Sequence, residues 1–193
     1  QTLRKQIQEQ PRTNEGGFWH KKIYPSQMWL DGLYMAEPFY TEYANTFHED
    51  SIYNDIARQF ILMEKNSRDA KTGLLYHGYD ESRQQKWADK TTGRSPNFWG
   101  RAMGWFGMGL VDVLEKFPAE HPMKPKLIQI LNRFADALAT VQDDNSHLCW
   151  ALFSLRVKET NHLEASSSSM FVYALLKRGR FCQLLCSFLS VDK

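Results

Sequence analysis

Apolar residues recur every three to four positions over most of the chain, and this spacing is typical of amphipathic helices with one buried face. The clearest stripe consists of Ile52, Ile56, Phe60 and Met63. Shorter stripes of the same period predict further helices over residues 1–10, 26–47, 97–117, 122–141 and 164–177. The chain is therefore predicted to consist mainly of helices joined by loops.

Residues that cap or interrupt helices refine two of these boundaries. Ser26 is predicted to cap the helix that carries Asp31, because a serine hydroxyl can accept a hydrogen bond from a free backbone N–H. Pro38 is predicted to end or kink that helix, with a second helical segment reaching about Phe47. Asp50 is predicted to cap the next helix.

Residues 66–95 form a long segment without helical period, rich in polar residues and glycine. We predict a loop here with a short hairpin at about 74–79, and loops of this length in a compact domain are usually functional. Residues 147–155 are predicted to form a short strand or loop. Strands and helices do not alternate, so the pattern favours an all-α architecture of helical hairpins with functional loops at one end.

Three glycines, Gly104, Gly107 and Gly109, lie inside the predicted helix over 97–117. Each lowers helix propensity. We therefore expect another backbone or a ligand to pack closely against the face that they occupy.

Composition limits the classes of partner. A chain of 193 residues favours one domain, and a net charge of +2 is too small to indicate nucleic acid or an anionic membrane as the main partner. Aromatic residues make up 13% of the chain, with six Trp, and flat rings beside polar groups favour a sugar or another flat ligand. No apolar run has the length of a membrane span.

Neither the cysteines nor the start of the chain adds a site. Cys149, Cys182 and Cys186 lack metal-ligand spacing, so thiols are expected rather than a zinc site or a disulfide framework. The chain begins with Gln1 and no basic-then-apolar signal follows. We expect an upstream part to be missing, and the compartment cannot be inferred.

Asp31 is the first candidate for chemistry, because it is the one carboxylate in the apolar and aromatic run from Gln27 to Met35. Apolar neighbours raise the pKa of a carboxyl group towards the range useful for donating a proton. Asp31 is therefore a candidate general acid. The alternative is a structural carboxylate, satisfied by backbone donors or by an arginine, that holds two helices in register.

Four further residues offer binding chemistry. Arg101 could hold a carboxylate through two parallel hydrogen bonds, or form an ion pair with Asp112 or a helix C-terminus. Trp99 and Trp105 could stack on a sugar ring, or belong to the core. His77 could bind an anionic group or orient a water molecule, or bond to a nearby carbonyl. The run Ser166 to Ser169 could be a loop, a helix cap or a ligand contact.

Several multi-residue motifs resemble one known family, the unsaturated rhamnogalacturonyl hydrolases of glycoside hydrolase family 105. They occur in the family's order and at compatible separations over roughly residues 1–177. The motifs are Gly17 to Lys21, Tyr24-Pro25, Gln27 to Met35, Tyr76 to Asp80, Trp99 to Arg101 with Gly104-Trp105, and Leu163 to Ser166 with Met170-Phe171.

The resemblance implies an (α/α)6 barrel that removes 4,5-unsaturated galacturonate from the non-reducing end of pectin oligosaccharides. It implies that Asp31 protonates the vinyl ether at C4 and then acts as base for a water that adds at C5, without a metal or organic cofactor. It also implies substrate-binding roles for a set of aromatic and basic residues. These are His77, Trp99 and Arg101, and further Trp29, His20 and Trp105.

The chain departs from the family pattern in two places. The resemblance implies a second carboxylate well upstream of Asp31, in a part that this chain does not contain. Residues 178–193 leave the pattern, so residues 1–177 are predicted to form about half of a barrel and the rest a divergent tail. An open half barrel is expected to expose apolar helix faces that normally pack.

Three other functions remain open at this point. One is an unsaturated glucuronyl hydrolase that acts on glycosaminoglycan or gellan fragments with the same acid. Another is an inactive carbohydrate-binding remnant or helical interaction module. The third is a helical-toroid polysaccharide lyase, in which a Tyr or His base would be essential and Asp31 would not.

Overall fold

The computed structural model describes residues 2–155 and 160–181. Within these ranges about half of the residues lie in helices, which are the main secondary structure, as predicted. The elements are α1 (Thr2–Gln8), β1 (Gln27–Trp29), α2 (Leu30–Phe47), α3 (Ile52–Ser67), β2 (Gly78–Asp80), α4 (Gly100–Lys116), α5 (Lys124–Ala139), a 3-10 turn (Phe153–Leu155) and α6 (Ala165–Arg178). Residues 182–193 of the predicted tail lie outside the described residues.

Helix α4 lies centrally and packs against α2, α5 and α6. The close approach predicted from its glycines is confirmed: a Cβ on Gly104 would lie 2.6 Å from the Met170 sulfur, and a Cβ on Gly107 would lie 2.7 Å from the Phe134 ring. These residues belong to one core, in which the fully buried Phe106 ring lies 5.6 Å from that of Phe134. Glycine therefore lets the neighbouring helices approach α4 on both sides.

Two predicted helix boundaries are wrong. Ser26 does not cap α2, because residues 27–29 form a strand and the helix begins only at Leu30. Asp50 does not cap α3; the residue before the helix is Ser51, whose φ of −61° and ψ of −22° are already helical, and no side chain bonds the free N–H groups. A residue whose side chain caps a helix normally has an extended backbone, and the residue before α3 does not.

Pro38 neither ends nor divides α2, which continues from Leu30 to Phe47. A proline inside a helix removes one backbone hydrogen bond. Packing against α4 covers this part of the helix: a Cβ on Gly109 would lie 3.2 Å from Tyr34 Cα, one turn before the proline. Tertiary contact thus outweighs the local cost of Pro38.

The long segment over residues 66–95 contains β2, but the predicted hairpin at 74–79 is wrong. Strand β2 pairs antiparallel with the distant β1, with Trp29 opposite Gly78 and Gln27 opposite Asp80. Asp80 is fully buried and its carboxylate accepts hydrogen bonds from Ser82 and from the backbone N–H of Gln85. The segment is therefore a structured loop attached to the start of α2.

Both edges of the helical array expose apolar side chains, as expected for part of a barrel. Leu3 on α1 is 55% exposed and Met35 on α2 is 61% exposed. On α6, Val172 is 56% and Leu176 is 57% exposed. Across the described ranges, no helix combines the length and the apolar character needed to cross a membrane.

Candidate active site

The short ladder between β1 and β2 brings Asp31 and His77 together. Asp31 follows β1 in the first turn of α2, and His77 immediately precedes β2. The backbone N–H of Leu30 donates to the carbonyl of His77 over 3.0 Å, which fixes the two segments side by side. As a result, Nε2 of His77 lies 2.9 Å from Oδ2 of Asp31.

The prediction that apolar neighbours raise the pKa of Asp31 is wrong. Burial does raise it, but the hydrogen bond and charge of His77, a backbone hydrogen bond and the charge of His20 act in the opposite direction. Together they hold the pKa of Asp31 below its ordinary value. Asp31 is therefore a carboxylate in the free protein at neutral pH.

Aromatic rings surround this pair on one side. The Trp29 indole stacks on the imidazole of His20, with centroids 4.5 Å apart, and its other neighbour in the stack is Tyr24 at 5.0 Å. The edge of Trp29 also contacts His77 at 5.1 Å. Burial lowers the pKa of His20, so its ring is neutral at neutral pH. His20 and Trp29 therefore form an uncharged aromatic wall beside Asp31.

Arg101 and Trp99 lie on the other side of His77. The Trp99 ring is 4.9 Å from that of His77, and the Arg101 guanidinium lies over Trp99 at 4.8 Å from the centroid. The predicted alternative partner Asp112 is wrong, because Asp112 instead accepts a hydrogen bond from Lys177. The carboxylate near Arg101 is that of Glu164, with Nε and Oε1 separated by 3.4 Å.

A cavity of about 510 Å³ lies beside His77, which links it to Asp31 through their hydrogen bond; Asp31 and His20 do not line it. Its wall contains four predicted residues, Trp29, His77, Trp99 and Arg101. It also contains Glu164, which belongs to the motif Leu163 to Ser166, and three residues that the sequence analysis did not select, namely Trp87, Asn161 and His162. Trp87 lies in the loop over 66–95, which we predicted to be functional without selecting this residue.

Trp105 lies in a different place from the other predicted site residues. Its ring contacts Tyr34 of α2 at 4.7 Å between centroids. The contact joins α2 to α4, which carry Asp31 and Arg101. A direct role in substrate binding stays a prediction.

A second cavity of about 400 Å³ lies beside α1 and α2, and its wall includes His20 and Trp29. Glu37 lines it and is fully buried, and neither of its carboxyl oxygens has a hydrogen-bond partner among the described residues. Burial, with the charge of Asp55, raises the pKa of Glu37 well above its ordinary value, although Arg12 opposes this. The folded protein thus favours the protonated form of Glu37, a residue that the sequence analysis did not select.

In the part of the chain that the structure describes, no group of three or more His, Cys, Asp or Glu side chains is arranged to hold a metal ion. The site offers an acid, an imidazole, a guanidinium and aromatic rings. These groups can donate and accept protons, bind an anion and stack on a sugar.

Comparison with known families identifies the class of the chain. The family model described as Glycosyl Hydrolase Family 88 matches residues 1–181. The chain therefore belongs to this family, and its helices correspond to part of the (α/α)6 fold of the family's solved structures.

Individual relatives agree with the resemblance predicted from the motifs. A glycoside hydrolase from family 105 of C. acetobutylicum has a similar structure, with a TM-score of 0.91 and 52% identity over 93% of this chain and 50% of that one. The unsaturated rhamnogalacturonyl hydrolase YesR of Bacillus subtilis is 27% identical over 90% of this chain and 49% of its own length. The 24.9 kDa protein in the picA locus of Rhizobium radiobacter is 36% identical over 76% of this chain.

The similarity to unsaturated rhamnogalacturonyl hydrolases of family 105 is thus confirmed. The chain spans about half the length of the C. acetobutylicum enzyme and of YesR, and 61% of the length of the Rhizobium protein. The activity of such a whole protein is therefore a proposal for this chain.

Proposed function

We propose that this protein hydrolyses oligosaccharides that end in a 4,5-unsaturated uronate, by adding water to the vinyl ether of that sugar. The observation that carries the proposal is the hydrogen bond between Asp31 and His77 beside a cavity that contains Arg101 and Trp99. This combination offers a proton donor, an anion-binding group and a flat surface for one sugar ring. Membership of the glycosyl hydrolase family supports the same chemistry.

Binding of the substrate would prepare Asp31 for its role as an acid. The carboxylate group of the uronate pairs with the Arg101 guanidinium through parallel hydrogen bonds. The sugar excludes water and brings a second negative charge towards Asp31. Both effects raise the pKa of a carboxyl group, so they oppose the lowering seen in the free protein.

The reaction then needs one proton and one water. Asp31 donates its proton to C4, and positive charge develops at C5 and on the ring oxygen. Water attacks C5 while the Asp31 carboxylate accepts a proton from it, which regenerates the acid. The resulting hemiketal opens, and the hemiacetal at C1 then releases the remaining sugar as an alcohol.

His77 and the aromatic wall act on these steps through position and charge. The hydrogen bond from His77 orients Asp31 and stabilises its carboxylate after proton transfer. Trp29 and Trp99 flank His77 and would bound the sugar ring. His20 supports Trp29 by stacking.

Unsaturated galacturonate linked to rhamnose is the substrate that we favour. The name of YesR, an unsaturated rhamnogalacturonyl hydrolase, and the similarity to a family 105 enzyme support it. Unsaturated glucuronate linked to a glycosaminoglycan sugar is the alternative. Comparison of the two disaccharides at equal concentration separates them.

The test follows the ultraviolet absorbance of the conjugated C4=C5 bond while the purified protein acts on unsaturated galacturonyl-rhamnose. Asp31→Asn is compared with the wild type, and Asp50→Asn, an exposed carboxylate outside the site, serves as the control. We expect absorbance to fall with the wild type and with Asp50→Asn, and to stay constant with Asp31→Asn. Constant absorbance with a folded wild-type protein on both disaccharides would contradict the proposal.

A further inference from the structure

Glu164 is a buried carboxylate at the cavity that the reaction outlined above does not use. It immediately precedes α6, and its side chain is 10% exposed. Its Oε1 accepts a hydrogen bond of 2.8 Å from the hydroxyl of Ser166 and lies 3.4 Å from Nε of Arg101. Its Oε2 is buried and has no hydrogen-bond partner among the described residues, so Arg101 is its neighbouring positive charge.

The serine run after Glu164, whose meaning the sequence left open, fixes the backbone of this residue. The Glu164 carbonyl accepts hydrogen bonds from the hydroxyls of Ser167 and Ser168. The Glu164 N–H donates to the carbonyl of Cys149, whose own N–H donates to Ser168. The first turn of α6 is therefore tied both to itself and to the preceding loop.

The same turn packs directly on the first residue of α4. A Cβ on Gly100 would lie 3.3 Å from the hydroxyl oxygen of Ser167 and 2.7 Å from the carbonyl oxygen of Trp150. Arg101 is the next residue along α4. A small residue at position 167 and a glycine at position 100 thus bring Glu164 and Arg101 within reach of each other.

Two contacts then define where the guanidinium of Arg101 lies. Its plane lies over the Trp99 indole, and its Nε faces Glu164. An arginine carries five N–H donors; Nε of Arg101 lies at ion-pair distance from Glu164, and among the described residues the two terminal nitrogens have no hydrogen-bond partner, so they can bind a ligand in the cavity. Pre-orientation matters because an arginine that must be ordered at binding loses side-chain entropy.

We propose that Glu164 is a positioning residue that orients Arg101 for the carboxylate of the uronate substrate, and that the hydroxyls of Ser166, Ser167 and Ser168 maintain this orientation. The proposal rests on the proposed function for the identity of the ligand. The contact between Glu164 and Arg101 does not depend on it. Glu164 is expected to affect substrate binding through Arg101 and to leave the proton transfer at Asp31 unchanged.

Kinetics of a double-mutant cycle test this role. We expect Glu164→Ala to raise KM about 10-fold with kcat nearly unchanged, because the coupling between contacting residues is of this order. Glu164→Gln retains an oxygen for Nε and is expected to restore most of the affinity. In an Arg101→Ala background, Glu164→Ala is expected to add no further loss. Ser169→Ala, an exposed position on the same turn whose hydroxyl bonds only the Ala165 carbonyl in the described structure, is the control.

Two kinetic outcomes would overturn the proposal. Tighter binding by both Glu164→Ala and Glu164→Gln would mean that the carboxylate only weakens the positive charge of Arg101. Fully additive losses in the Arg101→Ala background would mean that Glu164 acts without Arg101.

A measurement that needs no turnover distinguishes failure of this proposal from failure of the proposed function. The Nε–H group of Arg101, assigned by its loss in Arg101→Ala, is observed by ¹H–¹⁵N NMR. We expect slow solvent exchange in the wild type and in Glu164→Gln, and fast exchange in Glu164→Ala. An unchanged exchange rate in Glu164→Ala overturns the positioning role; slow exchange that depends on Glu164, in a protein inactive on both disaccharides, refutes only the activity.

Discussion

Two carboxyl groups on α2 lie less than two helical turns apart, yet their environments have opposite consequences. Asp31 in the first turn is half-buried and hydrogen-bonded to His77, and its pKa is lowered. Glu37 is fully buried without a hydrogen-bond partner among the described residues, and its pKa is raised. The difference arises from the partner that each carboxyl meets rather than from the helix that both share.

A carboxylate among apolar neighbours was expected to have a raised pKa, and Glu37, not Asp31, fulfils that expectation. Asp31 escapes it because the ladder between β1 and β2 places His77 next to it. A raised pKa in the resting protein is therefore a poor guide to the acid in this site, because a charged substrate can supply the shift when it binds.

The largest expected effect is the contrast in activity between substitutions at these two positions. We expect Asp31→Asn to lower kcat by about 10³-fold or more, because general acid and base catalysis commonly contributes a factor of about 10² to 10⁴ to each proton transfer. Glu37→Gln is expected to leave kcat unchanged, since Glu37 lines the second cavity and not the cavity that contains His77, Trp99 and Arg101. The absorbance assay on the unsaturated disaccharide measures both. A comparable loss in Glu37→Gln would show that the second cavity takes part in the reaction.

A smaller effect is expected from removal of the partner of Asp31. In His77→Ala, burial continues to raise the pKa of Asp31, while the main opposing contribution is lost. The pKa of Asp31 should therefore rise, and the acid form should persist to higher pH. Titration of the Asp31 carboxyl carbon by ¹³C NMR measures the shift, with Asp31→Asn used for assignment.

This substitution also changes stability in a direction that can be stated. A carboxyl with a lowered pKa stabilises the folded state above its ordinary pKa, and this contribution is lost as the pH falls through the folded-state pKa. In His77→Ala, acidification should therefore lower the free energy of unfolding by less than it does in the wild type. A pKa for Asp31 that does not move would mean that His77 is not what distinguishes Asp31 from Glu37.

The sequence predicted most of the helical fold because the apolar period along each helix survives in the packed structure. It failed where distant segments decide local geometry. Residues 27–29 carry no strand signal of their own and become a strand only because residues 78–80 pair with them. Three predictions were wrong for this one reason: the Ser26 cap, the local hairpin and the raised pKa of Asp31.

For the site, motif resemblance selected side chains that the structure does gather around one cavity, including His77, Trp99 and Arg101. It could not select Trp87, which lies in the polar loop over 66–95 without a distinguishing spacing. Glu37 was missed because a glutamate inside an amphipathic helix usually faces solvent. Only the packing of α2 against its neighbours reveals that this one does not.

The smallest expected effect concerns stability alone. The raised pKa of Glu37 means that the folded state binds its proton more tightly than the unfolded chain does. This contribution is complete below the ordinary pKa of a glutamate and is lost as the pH rises towards the folded-state value. The glutamine side chain does not ionise, so folding of Glu37→Gln does not require it to bind a proton. The stability of this variant should match that of the wild type near pH 4 and exceed it increasingly at higher pH, by up to about 1.4 kcal/mol per pH unit.

Denaturant unfolding from acid to neutral pH measures this difference, with Glu42→Gln on the exposed side of α2 as the control. The control should follow the wild type within about 0.5 kcal/mol at every pH, because exposed ion pairs contribute little. Parallel pH profiles for Glu37→Gln and the wild type would mean that Glu37 is ionised in the folded protein. Arg12, which binds Asp55 through two hydrogen bonds of 2.7 and 2.6 Å, would then have to neutralise Glu37 as well, and the contrast between Asp31 and Glu37 would no longer hold.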